Sequence, residues 1–79
     1  IMSTFIYKLG SWTLEFPQKY RIVCDGTTAV VIDDDRTALV LLSLTAKGNI
    51  RIERTYYAMI CEIDPIDKKI IFQLTEEIA

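Results

Sequence analysis

Histidine is absent from this chain of 79 residues, and with it the side chain that proteins use most often as a general base and as a metal ligand. The three glycines all fall in predicted turns, so none is left for a loop that cradles phosphate groups. Ser3, Ser11 and Ser43 lie at the N-terminus, in a turn and in a strand, without a visible activating partner. The sequence also does not single out a pair of Asp or Glu residues as a catalytic pair in which one carboxyl group would have a raised pKa. We therefore predict that the protein is not an enzyme and uses no cofactor.

Cysteine is scarce as well, because Cys24 and Cys61 are the only two. Two cysteines are too few for a disulfide scaffold, and a zinc site would need more soft ligands. Both fall on predicted inward faces, where a free thiol behaves as a small buried hydrophobic group. We expect two free cysteines and no metal site.

Neither an excess of positive charge nor a long apolar run is present. Nine basic and eleven acidic residues give a net charge of −2, so few cations are available to displace the counterions of a nucleic acid. No segment approaches the 18 uninterrupted apolar residues of a membrane-spanning helix. We interpret Met2 as the native start, and the residues after it do not show the basic region followed by an apolar stretch that is typical of a signal peptide. We expect no membrane span and a location in the cytoplasm, of the protein's own cell or of a host cell.

The composition is that of a folded chain, with 51% hydrophobic and 25% charged residues. It is too apolar for a disordered segment, and its length allows one domain. We therefore predict a single domain over residues 1–79.

The first hairpin is predicted at Leu9-Gly10-Ser11-Trp12, where Gly10 occupies the first central position of a two-residue type II′ turn. This register places every large aromatic side chain of the hairpin on one face, and a slip by one residue would destroy that separation. The predicted pairs on the buried face are Leu9/Trp12, Tyr7/Leu14 and Phe5/Phe16.

A second hairpin is predicted at Cys24-Asp25-Gly26-Thr27, since Asp-Gly favours a type I′ turn. Its outer face is only half polar, so it is more apolar than a solvated sheet requires. The predicted inward pairs are Ile22/Ala29 and Tyr20/Val31, and the outer pairs are Arg21/Val30, Val23/Thr28 and Lys19/Ile32.

The run Asp33-Asp34-Asp35-Arg36 has two interpretations. Carboxylate oxygens suit a divalent cation, but a calcium loop would need more ligands in register, a glycine for its sharp bend and a distal glutamate. None of these is in place, so we interpret the run as a solvated turn.

Residues 37–46 fit either a strand or a short helix. Asp34 or Asp35 could cap a helix that ends at Gly48. However, apolar residues alternate along the segment with a period of two, which favours a strand. The loop Ala46-Lys47-Gly48 also fits a hairpin that pairs Leu44 with Ile50 and Leu42 with Ile52.

The last hairpin turns between Asp64 and Lys68, with Pro65 where a type I turn favours it. Its inward set, Tyr57, Met59, Cys61 and Ile63, is odd-numbered, whereas Ile50 and Ile52 are even-numbered. This change of phase predicts a bulge or a break near Arg54 and Thr55. The predicted pairs are Ile63/Ile70, Cys61/Phe72 and Met59/Leu74.

The phase change leaves Tyr56, Ala58 and Ile60 on the outer face, between Arg54 and Glu62. An exposed apolar strip with polar ends has the composition of an interface, and a two-fold homodimer is a common way to cover it. Further apolar residues on predicted outer faces are Val23, Val30, Ile32, Leu39 and Leu41.

These patterns predict an all-β fold, an antiparallel meander of seven or eight short strands curled into a small barrel or a two-layer sandwich. The predicted function is that of a non-enzymatic protein–protein interaction module, a small adaptor or inhibitor that binds a larger protein. One alternative is a single-stranded nucleic-acid-binding module resembling an OB fold, which would use Arg51, Arg54, Tyr56 and Tyr57. A second alternative is a structural subunit of a homo-oligomer. The predicted partner-binding residues are Arg51, Arg54, Tyr56, Ala58 and Ile60.

Overall fold

The computed structural model describes residues 4–75, and their regular structure is entirely β-strand. The predicted all-β class is therefore confirmed, and residues 38–44 form a strand rather than a helix. The described range contains no helix that could cross a membrane. The cytoplasmic location stays a prediction. The strands are β1 (Phe5–Leu9), β2 (Trp12–Phe16), β3 (Arg21–Asp25), β4 (Thr28–Ile32), β5 (Ala38–Leu44), β6 (Ile50–Thr55), β7 (Met59–Asp64) and β8 (Lys69–Leu74).

The strands form two four-stranded sheets, each within its own compact unit. The central sheet, in the unit Tyr20–Tyr56, has the order β3-β4-β5-β6 and is an antiparallel meander as predicted. The terminal sheet lies in the unit made by the described residues up to Lys19 and from Tyr57 onward. Its order is β1-β2-β8-β7. Two sheets thus replace the closed barrel that was one of the two predicted alternatives.

The β1–β2 hairpin has the predicted register, with Phe5 opposite Phe16 and Leu9 opposite Trp12. Gly10 has a φ of 62°, which a type II′ turn requires at its first central position. Alternate residues of β2 are buried, because successive side chains of a strand point to opposite faces. The turn residue thus determines which side chains enter the core.

Strand β2 pairs on its other side with β8 in parallel, an exception to the predicted antiparallel meander. Leu14 lies beside Ile70, and both side chains are buried. The ring of Phe16 stacks on that of Phe72, with centroids 4.7 Å apart and planes within 6°. This pairing joins the two ends of the chain in one sheet and forms its apolar core.

The β7–β8 hairpin also has the predicted register, with Cys61 opposite Phe72. The Asp64 side chain accepts hydrogen bonds from the backbone N–H groups of Ile66 and Asp67, at 3.0 and 3.1 Å. This is how an aspartate at the first position stabilises a turn.

Two residues of the predicted inward set of β7 are exposed, so those assignments were wrong. Tyr57 is 83% exposed, because it lies in the turn between β6 and β7 and not in a strand. Ile63 lies opposite the buried Ile70 as predicted, but its own side chain is 51% exposed near the end of this edge strand. Met59 is buried as predicted, and Cys61 is half-buried.

The β3–β4 hairpin differs from its predicted register by two residues. Asp25 pairs with Thr28, so the loop is Gly26-Thr27 and not Asp25-Gly26. Gly26 has a φ of 66° at the first central position of this loop. A type II′ turn needs a positive φ at that position alone, whereas a type I′ turn would also need one at Thr27, which does not have it. A shift of two residues keeps every side chain on its predicted face. Cys24 is nevertheless exposed on this edge strand, so its predicted burial was wrong.

Strand β5 contains one extra residue opposite β4. Val40 pairs with Val31 and Ala38 with Ile32, which leaves Leu39 unmatched in a bulge. A bulge turns the side chains that follow it out of the regular alternation. Leu39 and Val40 are therefore both buried, and the predicted outer-face position of Leu39 was wrong.

The predicted irregularity near Arg54 and Thr55 is confirmed in two forms. Leu42 pairs with Ile52 whereas Leu41 pairs with Arg54, so Glu53 is the extra residue of a bulge in β6. The strand then ends at Thr55, before β7 begins at Met59.

We expect Gly26→Val to lower the free energy of unfolding by about 1–2 kcal/mol, because a β-branched residue is strained at a positive φ. No neighbouring atom would meet the added Cβ, so the effect comes from the backbone alone. Gly26→Asn is the matched control and should lose less, since asparagine tolerates this region. Urea unfolding of the three proteins tests this, and equal losses for the two variants would contradict the turn assignment.

The two thiols should differ in reactivity towards iodoacetamide. Cys24 is exposed, whereas burial raises the pKa of the Cys61 thiol and reduces its reactive thiolate at neutral pH. We expect Cys24 to be alkylated severalfold faster, as measured by mass spectrometry of the separated peptides. In 8 M urea the rates should become similar, and a faster Cys61 in the native protein would contradict the observed burial.

Candidate interaction surface

The bulge at Glu53 decides which face of the central sheet the two arginines of β6 occupy. Residues 51 and 54 of a regular strand would point to opposite faces, because side chains alternate with a period of two. In the observed register Arg51 pairs with Ser43 and Arg54 with Leu41, and paired residues share a face. The extra residue therefore brings both guanidinium groups onto one face.

That face carries an apolar row that crosses all four strands and ends at an arginine. Val23 pairs with Val30, Val30 with Leu41, and Leu41 with Arg54. Val23 is 46% exposed and the other two aliphatic side chains are half-buried, so the row is open to solvent. The neighbouring row consists of Asp25, Thr28, Ser43 and Arg51. We call these two rows together the arginine-flanked face.

Glu53 adds a negative charge beside the two arginines. Its Oε2 accepts a hydrogen bond of 2.8 Å from the Ser43 hydroxyl, on the neighbouring strand. This bond ties the bulged residue to Ser43, which is the residue paired with Arg51. The arginine-flanked face therefore carries charges of both signs.

The aspartate run that follows β4 forms a closed turn. Asp33 Oδ1 accepts hydrogen bonds from the backbone N–H groups of Asp35 and Thr37, at 2.9 and 2.8 Å. The backbone of Arg36, with a φ of 64°, donates to the carbonyl of Asp33 at 3.0 Å. Within residues 4–75 no group of three or more Cys, Asp or Glu side chains could hold a metal ion. The geometry is that of a turn stabilised by its own first residue.

The predicted strip of Tyr56, Ala58 and Ile60 is not continuous. Ala58 is 1% exposed, so its predicted outward position was wrong. It lies in a turn, and its carbonyl accepts a hydrogen bond of 2.7 Å from the N–H of Thr75. Tyr56 is half-buried in the central unit, whereas Ile60 is 50% exposed on β7 of the terminal sheet.

Of the predicted partner-binding residues, the structure brings together Arg51 and Arg54. The apolar row beside them was missed as a site, although Val23, Val30 and Leu41 were all expected on outer faces. The missing information was the register, because only pairing across β3, β4, β5 and β6 shows that these residues form one row.

The outward face of the terminal sheet uses several of its charges internally. Lys69 Nζ lies 3.0 Å from Glu15 Oε2, and the hydrogen bond and charge attraction between them raise the pKa of Lys69. Lys8 donates a hydrogen bond of 2.8 Å to the Thr13 hydroxyl. These groups already have partners within the sheet, so this face is a weaker candidate for binding.

The arginine-flanked face can offer apolar contact from three aliphatic side chains and hydrogen bonds from two guanidinium groups. A planar guanidinium matches the geometry of a carboxylate, so the face suits an apolar surface bordered by acidic side chains. Comparison of the chain with protein-family models, with curated protein sequences and with solved structures found no match.

Proposed function

We propose that the protein is a non-enzymatic interaction module, a small adaptor or inhibitor that binds a larger protein through the arginine-flanked face. The observation that carries this proposal is the bulge at Glu53, which aligns Arg54 with Leu41, Val30 and Val23 in one solvent-open row. An apolar centre with arginine beside it is the composition of protein–protein hot spots.

The partner that fits this face is a protein surface with an apolar centre and carboxylates at its edge. Arg51 and Arg54 lie together on β6, at one end of the two rows, whereas Val23 lies at the other end on β3. Carboxylates of the partner would therefore meet the β6 end, and its apolar side chains would cover the middle of the sheet. Rim charges of this kind contribute more to specificity and association rate than to affinity.

Single-stranded nucleic acid is the competing ligand, and two features of the structure disfavour it. Asp25 lies in the same row as Arg51, and Glu53 lies beside it, so a phosphate backbone would meet negative charge on this face. Tyr57, the second aromatic residue of that alternative, belongs to the terminal unit and not to this sheet. Base stacking on adjacent tyrosines is therefore not offered by the arginine-flanked face.

The test compares capture of proteins from the native source by the wild type and by Arg51→Glu/Arg54→Glu. We expect the same protein to be recovered repeatedly with the wild type, and at least tenfold less of it with the double variant. Lys19→Glu/Lys47→Glu makes the same change of net charge at exposed positions outside the strands and should capture as the wild type does.

Equal recovery with both double variants would show that charge alone, and not this face, holds the partner. Recovery that depends on added nucleic acid, is abolished by nuclease and falls steeply with salt would favour the nucleic-acid alternative. Circular dichroism of each variant confirms that the fold is retained before capture is compared.

A further inference from the structure

The two sheets have four edge strands, and β7 is the longest of them that pairs without a register shift. Edge strands present unpaired N–H and C=O groups, and proteins commonly block them with charges, prolines or bulges. Strand β6 has a bulge and two arginines, β3 has Arg21 and Asp25, and β1 has Lys8. Strand β7 runs for six residues opposite β8 without a register shift, it contains no Lys, Arg or Pro, and its only charged residues are Glu62 and Asp64. Its Ile60 and Ile63 are both about half exposed.

The backbone of β7 offers a defined set of groups at this open edge. The Ala58 carbonyl accepts a hydrogen bond from Thr75, so residue 58 directs its polar groups towards the β8 side. In an antiparallel ladder this direction alternates along the strand. The backbone N–H and C=O groups of Ile60 and Glu62 therefore also point towards β8. Those of Met59, Cys61 and Ile63 point away from β8, to the open edge of the sheet.

We propose that this edge pairs with the β7 edge of a second copy of the chain, antiparallel about a two-fold axis, with Cys61 opposite Cys61 of the copy. In this register Met59 lies opposite Ile63 of the copy. The backbone groups of Met59, Cys61 and Ile63 that face the open edge can then all form hydrogen bonds with the copy. Each such pair exchanges two N–H···O bonds. The inference is independent of the proposed function, because it uses a different sheet.

Neighbouring registers satisfy the edge less well. A one-residue slip would pair outward-pointing backbone groups with groups that face β8. If the two-fold axis passes through residue 60 or residue 62 instead of Cys61, one of the residues Met59, Cys61 and Ile63 has no hydrogen-bonding partner in the copy. The axis through residue 62 also places Glu62 opposite Glu62 of the copy, and like charges directly opposite one another are destabilising. The Cys61-centred register therefore makes the most hydrogen bonds without opposing two carboxylates.

Side-chain contacts favour the same register. Met59 and Ile63 of the copy lie on one face, so the exposed Ile63 gains an apolar neighbour. On the other face Glu62 lies beside Ile60 of the copy and not beside another acid. A second copy thus covers both exposed isoleucines of β7 with residues that the same strand supplies.

The register predicts a specific covalent reporter. Residues that form a hydrogen-bonded antiparallel pair have Cα atoms about 5.5 Å apart, within the span of a disulfide. In a Cys24→Ser protein, diamide would take up the two electrons and two protons released by two Cys61 thiols as the sulfur–sulfur bond forms. We expect a covalent dimer with diamide, and none when Cys61 is replaced by serine.

Sedimentation equilibrium of the Cys24→Ser protein under reducing conditions provides the quantitative test. The expected mass is about twice 9.1 kDa at high micromolar concentration. Ile60→Asp places a carboxylate opposite Glu62 of the copy and should weaken the dimer at least tenfold. Ile66→Asp is the matched control at a 90% exposed turn position beyond the strand, and it should dimerise as before. If Ile60→Asp does not fold, Ile63→Lys provides the edge variant instead.

A mass of 9.1 kDa at every concentration would overturn the proposal, as would equal dissociation by the edge variant and by Ile66→Asp. Diamide cross-linking through Cys61 that is as fast in the Ile60→Asp variant as in its parent would also overturn it, because the link would then form by collision and not within the paired edge. Arg51→Glu/Arg54→Glu should leave the dimer intact, so failure of this inference and failure of the proposed function are separately visible.

Discussion

Replacing Phe72 with alanine is expected to lower the free energy of unfolding by about 3–5 kcal/mol. The side chain is 1% exposed, and its ring stacks on Phe16 at a centroid distance of 4.7 Å. Truncation removes this contact and leaves a cavity between β2 and β8, where the parallel pairing joins the two ends of the chain. Small domains are stable by about 5–15 kcal/mol in total, so a substantial part of the stability would be lost.

Urea unfolding measured by fluorescence of Trp12, which lies on β2 in the same sheet, tests this expectation. Gln73→Ala is the matched control, because Gln73 is exposed at the next position of β8. Its effect should stay within about 0.5 kcal/mol. A loss below about 1 kcal/mol for Phe72→Ala would contradict the observed stacking and burial.

The largest effect in the central sheet is expected for Leu42→Asp, which should destabilise the protein by about 4 kcal/mol or more. Leu42 is fully buried on an interior strand, between Ala29 and Ile52. An aspartate there would have to bury a charge or take up a proton, and either event costs free energy on folding. We expect the variant to lose its β-sheet circular dichroism spectrum at 25 °C.

Leu41→Asp provides the comparison on the opposite face of the same strand. Leu41 is half-buried in the arginine-flanked face and lies opposite Arg54, so a carboxylate there remains near water and near a positive charge. This variant should fold. If it unfolds as readily as Leu42→Asp, the outward face of the central sheet is covered by other groups and is not available for binding.

The hairpins could be predicted from sequence because their registers are determined by local turn chemistry. Gly10 fixed the first hairpin, and Asp64 with Pro65 fixed the last. Gly48, with a φ of 82°, supports the expected loop between β5 and β6. At Gly26 the same reasoning gave a register that is shifted by two residues from the observed one. One glycine can occupy either central position of a two-residue loop, so the dipeptide alone does not determine where the loop begins.

The parallel pairing of β2 with β8 could not be predicted in this way. No turn connects these strands, and an alternating apolar pattern is the same for a parallel and an antiparallel neighbour. Leu14 and Phe72 were both assigned correctly to the core, but the pattern alone does not show that they belong to neighbouring strands.

The candidate interaction surface was predictable only in part. The sequence singled out Arg51 and Arg54, and the phase change indicated an irregularity close to them. The position of the bulge at Glu53, which puts both arginines on one face, depends on pairing with Leu41 and Leu42. Ala58 was misplaced because the break after Thr55 ends the strand alternation on which its outward position was based.

The most direct test of the interaction surface is photo-cross-linking from position 23, in the middle of β3. A photoreactive amino acid in place of Val23 should join one protein from the native source to this chain, and unlabelled wild type should compete with it. The Arg51→Glu/Arg54→Glu variant should compete at least tenfold less well, and the same photoreactive group at Lys47 should not label that protein. If position 23 labels no protein, or if the double variant competes as well as the wild type, the arginine-flanked face is not the binding surface.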